Sequence, residues 1–242
     1  MRTLLSPRST LAKLRYAKYY LGVLLRNWKE HRESYAQHGE DLLVERLLGQ
    51  VDSFIDIGAN DGVLFSNTYK FAKEGARGLC IEPSSQTFRK LWLNQLFNPR
   101  VKCLNAAVTN DEGPTYLQED GYESILSRVC SKPNPGTYAV KAISLENIFK
   151  KYPYLQRVDL ISIDVEGHEE AVIDGVGDKP LDSKIVILEV DKSDEEKILG
   201  KPALGNHSPA YSNGINLLLL NKNHNFPSIS TLPKGYYLCV DK

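Results

Sequence analysis

Apolar positions along this chain follow two alternating rhythms. Short apolar runs rich in β-branched residues and leucine alternate with amphipathic segments that end at glycine. The runs predict strands at 53–57, 78–81, 101–106, 160–164 and 185–190. Helices are predicted at 67–73, 85–96 and 168–173, with Gly75 and Gly175 closing the first and the last. An earlier helix covers 40–48 (EDLLVERLL) and stops at Gly49. Strands alternating with helices argue for an α/β fold, a mostly parallel sheet with helices on both faces. Beyond the fifth strand, a polar segment at 205–213 precedes an apolar run at 215–220, and 236–240 is β-rich. That tail is compatible with a closing antiparallel pair at one edge of the sheet.

The alternation breaks between 110 and 151. Gly121, Pro133, Pro135 and Gly136 punctuate a loop-rich stretch that contains Tyr122, Arg128 and Lys132. A short strand at 138–143 and a helix beginning at Ser144 restore order. Loops at the carboxyl ends of parallel strands usually carry the ligand site, so this insertion is a candidate substrate lid. A surface loop without function is the alternative.

Composition narrows the picture. The 242 residues hold 42% hydrophobic and 25% charged positions, which are globular values. Thirty basic residues balance thirty acidic ones, so no overall field recruits nucleic acid. The balance hides a gradient: residues 1–32 carry a net +7 and the remainder −7. A helix is predicted at 11–33, with Leu11, Leu14, Leu21, Leu24, Leu25 and Trp28 mostly on one face. It could pack on the following domain, or lie as a peripheral anchor on anionic lipid. The apolar run at 19–25 is too short to span a bilayer, and no cleavable signal is evident. Cys80, Cys103, Cys130 and Cys239 form no CxxC pair; Cys80, Cys103 and Cys239, in apolar runs, read as reduced core thiols of a cytoplasmic protein, not as a zinc site.

Two segments suggest the chemistry. FIDIGANDG (54–62) is an apolar run breaking into a glycine turn with Asp56 at its edge; GLCIEPS (78–84) ends on Glu82 and Pro83. The twenty residues from Gly62 to Glu82 match a βαβ nucleotide site, with the second acid set to hold a ribose diol. Gly58 and Gly62 allow close backbone approach around Ala59. Asn60 stands where the dinucleotide form has its middle glycine, and no Lys or Arg lies in the turn. A nucleoside without phosphates therefore fits better than a pyrophosphate. Further motifs are QHGED (37–41), SNT (66–68), NAAV (105–108) and DVEGHE (164–169).

In the order QHGED, DIGANDG, SNT, CIEP, NAAV, DVEGHE, the set resembles the FkbM family of S-adenosylmethionine-dependent methyltransferases, well over 35–177 and loosely beyond. The resemblance implies a Rossmann-like class I methyltransferase fold with a mostly parallel seven-stranded sheet. It divides the chain into a basic N-terminal extension, 1–34, and a methyltransferase domain, 35–242. The implied cofactor is S-adenosylmethionine, and the implied reaction is O-methylation of a glycan or small natural-product acceptor. Cofactor contacts are expected from Asp56, Gly58, Ala59, Asn60, Gly62, Asn67, Glu82, Pro83, Asn105, Ala106 and Asp164. Gln37, Glu40 and Asp41 would fold over the cofactor end of the sheet.

Methyl transfer to oxygen needs a partly deprotonated hydroxyl, and Asp164, Glu166 and His168 are the candidates to line that step. His168 has the more suitable ordinary pKa. Helix capping by Glu166 and His168 is the plainer reading of the same residues; a divalent metal is a weaker one, and no metal is assigned. Two other functions fit less well: a nicotinamide-dependent oxidoreductase, and a non-catalytic binding module on the same fold.

Overall fold

A computed structural model describes Gly22 and residues 29–120, 126–130 and 132–239. The chain divides into two units, Met1–Glu33 and Ser34–Lys242, and the elements below belong to the second. Of the helix expected at 11–33, only Gly22 and residues 29–33 are described. Gly22 and Lys29 are helical and 30–33 are not, so the expected end at Glu33 is too late; Tyr122 of the insertion lies outside the described residues.

From the N-terminal side, α1 (Glu40–Leu48) leads into β1 (Ser53–Ile57), α2 (Tyr69–Lys73), β2 (Arg77–Ile81), α3 (Ser85–Asn94) and β3 (Val101–Leu104). The short β4 (Ala107–Val108) follows, then β5 (Thr115–Asp120), β6 (Leu126–Cys130), β7 (Thr137–Val140) and β8 (Ala142–Ile143). Next come α4 (Leu145–Lys151), β9 (Val158–Ile163), α5 (Glu169–Asp174), β10 (Ser183–Glu189) and α6 (Lys192–Leu199). The last strands are β11 (His207–Ser212), β12 (Asn216–Asn221) and β13 (Tyr237–Leu238).

The main sheet runs β13-β11-β12-β10-β9-β1-β2-β3. Its five strands from β10 to β3 are parallel, and β12, β11 and β13 add antiparallel pairs. All six residues of β9 are buried, as a strand covered on both faces requires. Ile55, Ile57, Ile161 and Ile163 pack with Ile148 of α4 and Val172 of α5. On the other face Phe54 and Leu160 pack with Leu43 of α1, Phe71 of α2 and Leu91 of α3. The period of two along each strand thus divides the core into two layers.

Two further expectations need correction, and the pattern of one segment predicts no element. The sheet has eight strands, not seven, because two-residue β13 adds an edge beyond β11. The polar segment at 205–213 holds strand β11, which carries no apolar pattern to announce it. Its pairing with β12 and the hydrogen bonds of buried His207 to Ser183 replace the apolar pattern a strand normally shows. The insertion is an antiparallel sheet, β6-β5-β7, beside a parallel β4-β8 pair. Leu117 is its one fully buried side chain among the described residues, so little hydrophobic periodicity reaches the sequence. Helix α6, rich in charged residues, adds an element that the apolar pattern does not predict. Among the described residues, no helix is long and apolar enough to cross a membrane.

Glu40, the acid of QHGED, is fully buried and ties α1 to the C-terminal strands. Its Oε1 accepts from Asn213 Nδ2 (3.3 Å), Asn216 Nδ2 (2.8 Å) and the Tyr236 hydroxyl (2.8 Å). Its Oε2 accepts the His38 N–H at 2.9 Å. Glu40→Ala leaves these donors buried without an acceptor and is expected to cost about 2–4 kcal/mol. Urea unfolding of Glu40→Ala beside Glu40→Gln measures it. A loss of under about 1 kcal/mol in the alanine variant would show that the clamp does not hold the fold.

Candidate active site

Between β9 and β2, strand β1 marks the point where the strand order reverses. Open α/β sheets bind ligands outside the carboxyl ends of the strands at such a point. A cavity of about 410 Å³ opens there, lined in part by residues 56–60 at the end of β1, 81–83 at the end of β2 and 164–166 after β9. That volume suits a small organic ligand.

Asp56 sits inside this cavity and accepts the Thr68 hydroxyl at 2.6 Å. Burial pushes its carboxyl up to about 6, against the opposing hydrogen bonds of Thr68 and Ser66. The SNT motif divides its work. Ser66 Oγ accepts the Tyr69 N–H at 3.1 Å and so caps α2, Asn67 Nδ2 donates to Ser162 Oγ at 3.0 Å, and Thr68 holds Asp56. Asn67 also lines the cavity.

The glycine turn passes tightly under the neighbouring loop. Gly58 has φ +85°, and a Cβ there would stand 1.7 Å from the Asp164 carbonyl oxygen. Asn60 adopts φ 49°, in the left-handed region that Asn tolerates. Its N–H donates to Glu82 Oε2 at 3.1 Å, and the Ser84 N–H donates to Glu82 Oε1 at 2.8 Å. Glu82, buried at the end of β2, is thereby aimed across the turn. Ala59, Pro83 and Ala106 line the same cavity.

Two expected cofactor contacts lie elsewhere. Gly62 is absent from the lining; its missing Cβ makes room for Leu91, whose Cδ1 would be 2.5 Å away. Its role is helix packing. Asn105 is also outside the lining, and its Nδ2 donates to the Glu82 carbonyl (2.8 Å) and the Pro83 carbonyl (3.0 Å). It braces the loop that presents Glu82, and it ends β3 at Leu104 instead of at 106.

After β9, the loop bends back on itself. Glu166 (φ 54°) and Gly167 (φ 89°) both take left-handed backbone. Glu169 Oε1 pins the bend by accepting the Gly167 N–H at 3.0 Å and the Val165 N–H at 3.4 Å. Asp164, Glu166 and His168 all line the cavity. His168 occupies the N-cap position of α5 but makes no side-chain cap bond, so capping does not account for it. Its Nε2 is buried without a hydrogen-bond partner. Burial lowers its pKa below 6.5, leaving a neutral imidazole at pH 7.

A family model for the methyltransferase FkbM domain matches residues 56–208, more than half of the chain. The chain belongs to the FkbM methyltransferase family. The match begins at Asp56 and includes every acid of the cavity, whereas the QHGED motif lies ahead of it. No curated protein matches the chain. Among solved structures, an FkbM methyltransferase from Methylobacillus flagellatus KT is 14% identical with a TM-score of 0.45, over 70% of this chain and 43% of that one. This chain thus spans less than half of that protein. A methyltransferase from Geobacter sulfurreducens is 13% identical with a TM-score of 0.44, over 90% and 91% of the two chains. Aeropyrum pernix fibrillarin, solved with natively bound S-adenosyl-L-methionine, is 10% identical with a TM-score of 0.45, over 81% and 76%.

The FkbM domain also brings residues to the cavity that the motifs did not single out. Glu189 ends β10, and the Leu188–Ile163 register sets it beside Asp164. The two acids thus stand at neighbouring strand ends, and both line the cavity. Burial, with the charges of Glu189, Glu166 and Asp56, pushes Asp164 up to about 8. Burial and the charge of Glu166 also raise Glu189. The signal for Glu189 was present: an apolar strand ending on an acid, as in the run before Glu82. Gln37 of QHGED, Leu64 and Phe65 after the glycine turn, and Val129 of β6 complete the wall. Among the described residues, no group of three His, Cys, Asp or Glu is placed to hold a metal ion.

Proposed function

We propose that this cavity binds S-adenosylmethionine and that the protein methylates a hydroxyl oxygen of a glycan or natural-product acceptor. One observation carries the cofactor reading. Asp56, Glu82, Asp164, Glu166 and Glu189 all line the cavity, and among the described residues no Lys or Arg does. Acids gathered in a sheltered site favour a ligand that brings positive charge. A nicotinamide dinucleotide would bring a pyrophosphate into the same acids with no base to meet it, and a nucleic-acid acceptor would meet the same repulsion at its phosphates.

The residues present fit the group. Glu82, oriented by two backbone N–H groups, is the acceptor for ribose hydroxyls. The bare backbone at Gly58 and Ala59 gives the ligand close access, and Ala106, Ala107 and Val108 leave a small-residue, apolar wall for a flat ring. Asp56 and Asp164 are the counter-charges. When bound, S-adenosylmethionine supplies an electrophilic methyl on a positively charged sulfur. The protein's part is to position the acceptor and relieve it of a proton. Neutral His168, with an unpartnered Nε2 in the wall, is the base for that proton. The O-methyl chemistry and the acceptor class rest on the family resemblance.

Calorimetry with S-adenosylhomocysteine and with NAD tests the cofactor reading. S-adenosylhomocysteine is expected to bind and NAD is not. Glu82→Ala is expected to weaken S-adenosylhomocysteine by about 1–3 kcal/mol, because the ribose hydroxyls lose a charged acceptor. Unchanged affinity in that variant would sink the ribose assignment.

A further inference from the structure

The acids of the cavity are not equivalent. Asp56 is held by a hydroxyl and Glu82 by two backbone N–H groups, each a donor that stabilises an anion. Asp164 and Glu189 instead face each other, on neighbouring parallel strands that end at the same level. Two sheltered carboxyl groups at adjacent strand ends resist ionising together without a counter-charge, which leaves the pair holding one proton near neutral pH. The charged groups around them are Glu166 and Glu169 from the loop and α5, Asp56 from β1 and Glu40 from α1. All are acids. His168, the basic side chain of the lining, is neutral at pH 7. The described residues therefore offer the pair no positive charge, and the ligand is left to supply it.

We propose that the Asp164–Glu189 pair is a proton-coupled gauge of ligand charge that selects the sulfonium cofactor over its neutral thioether product. The proposal rests on the S-adenosylmethionine reading. A cation in the cavity stabilises the doubly ionised pair, and the shared proton leaves to solvent. The thioether brings one positive charge fewer, so the pair keeps its proton when that ligand binds. Removal of the methyl group thus restores a protonated pair that no longer holds the ligand by charge. The device favours exchange of product for fresh cofactor without a moving lid.

The sign of the pH dependence follows. Burial and the neighbouring acids raise both carboxyl groups above the usual carboxylate range, so at neutral pH the free pair carries its proton. S-adenosylmethionine must expel that proton to bind, so its affinity rises with pH until the free pair is ionised. The limit is tenfold per pH unit for one proton. Asp56, raised to about 6, has lost its own proton by pH 7 and does not contribute above that. The α-ammonium of the ligand titrates near pH 8 in its own right. It does so equally against any variant, and comparison of proteins removes it.

The experiment is calorimetry of the full chain with S-adenosylmethionine and S-adenosylhomocysteine between pH 7 and 8.5, in two buffers of different ionisation enthalpy. Glu189→Gln and Asp164→Asn are run beside wild type, each first checked for cooperative thermal unfolding. At pH 7, wild type is expected to release about one more proton per S-adenosylmethionine than Glu189→Gln does. With S-adenosylhomocysteine the two proteins are expected to differ little. The preference of wild type for the sulfonium ligand should grow with pH, and in both variants this growth should disappear. Equal proton counts for wild type and Glu189→Gln, with both ligands still binding, would overturn the gauge and leave the cofactor reading standing. Binding of neither ligand at any pH would overturn both.

Discussion

Gly58→Ala is expected to lose more than about 4 kcal/mol of stability and, with it, the ligand site. For a domain of this size that is a fall in Tm of roughly 8–16 °C. Two penalties combine. The left-handed backbone at φ +85° costs an L-residue about 1–2 kcal/mol. The larger cost is steric, because the new Cβ would lie 1.7 Å from the carbonyl oxygen of Asp164, a backbone atom with no rotamer to escape through. The carboxyl ends of β1 and β9 would have to part, and the cavity lies between them. Gly167→Ala is the control. Its φ is +89°, yet nothing lies within 4 Å of the position its methyl would take, so only the conformational penalty remains. Thermal unfolding of both variants decides the matter. Similar losses in the two would show that backbone conformation, not close approach, accounts for Gly58.

His168→Ala is expected to lower turnover by about 10²–10⁴-fold, the usual effect of removing a general base. Affinity for S-adenosylhomocysteine should stay within about twofold, since the role proposed for the imidazole is on the acceptor. Burial lowers the His168 pKa below 6.5, so the base is in its active form at neutral pH. The acid limb of the wild-type rate profile should therefore fall below pH 6.5, where the imidazole gains a proton, and should be missing in the variant. Both are read with an acceptor that wild type methylates. Full turnover in His168→Ala would pass the role to Glu166, whose carboxyl burial and the charge of Glu169 raise toward neutrality.

Some of this was legible along the chain. The apolar runs of β1, β2, β9 and β10 mark buried parallel strands because such strands are covered on both faces. The first turn and Glu82 were legible because backbone permissiveness and a strand-end acid are local properties. The order of six motifs was legible as a family resemblance, and the family model bears that out over 56–208.

Other features depended on partners far away in sequence. β11 is a strand because β12 and β13 pair with it, although its own residues are polar. The insertion folds as β6-β5-β7 with little apolar patterning to announce it. Gly62 and Asn105 carry the residue types of a ligand turn, but Gly62 backs onto Leu91 of α3 and the Asn105 amide is taken up by the Glu82 and Pro83 carbonyls. Glu189 shows the opposite case. It carries no motif, and only the pairing of β10 with β9 sets its carboxyl against Asp164. By itself, the sequence determined which segments are strands with buried faces and where the backbone could turn sharply, because steric freedom and hydrophobic periodicity act between neighbours in the chain. The tertiary structure alone decided which acids share a cavity and a proton, because strand order and register choose the partners across which charges meet.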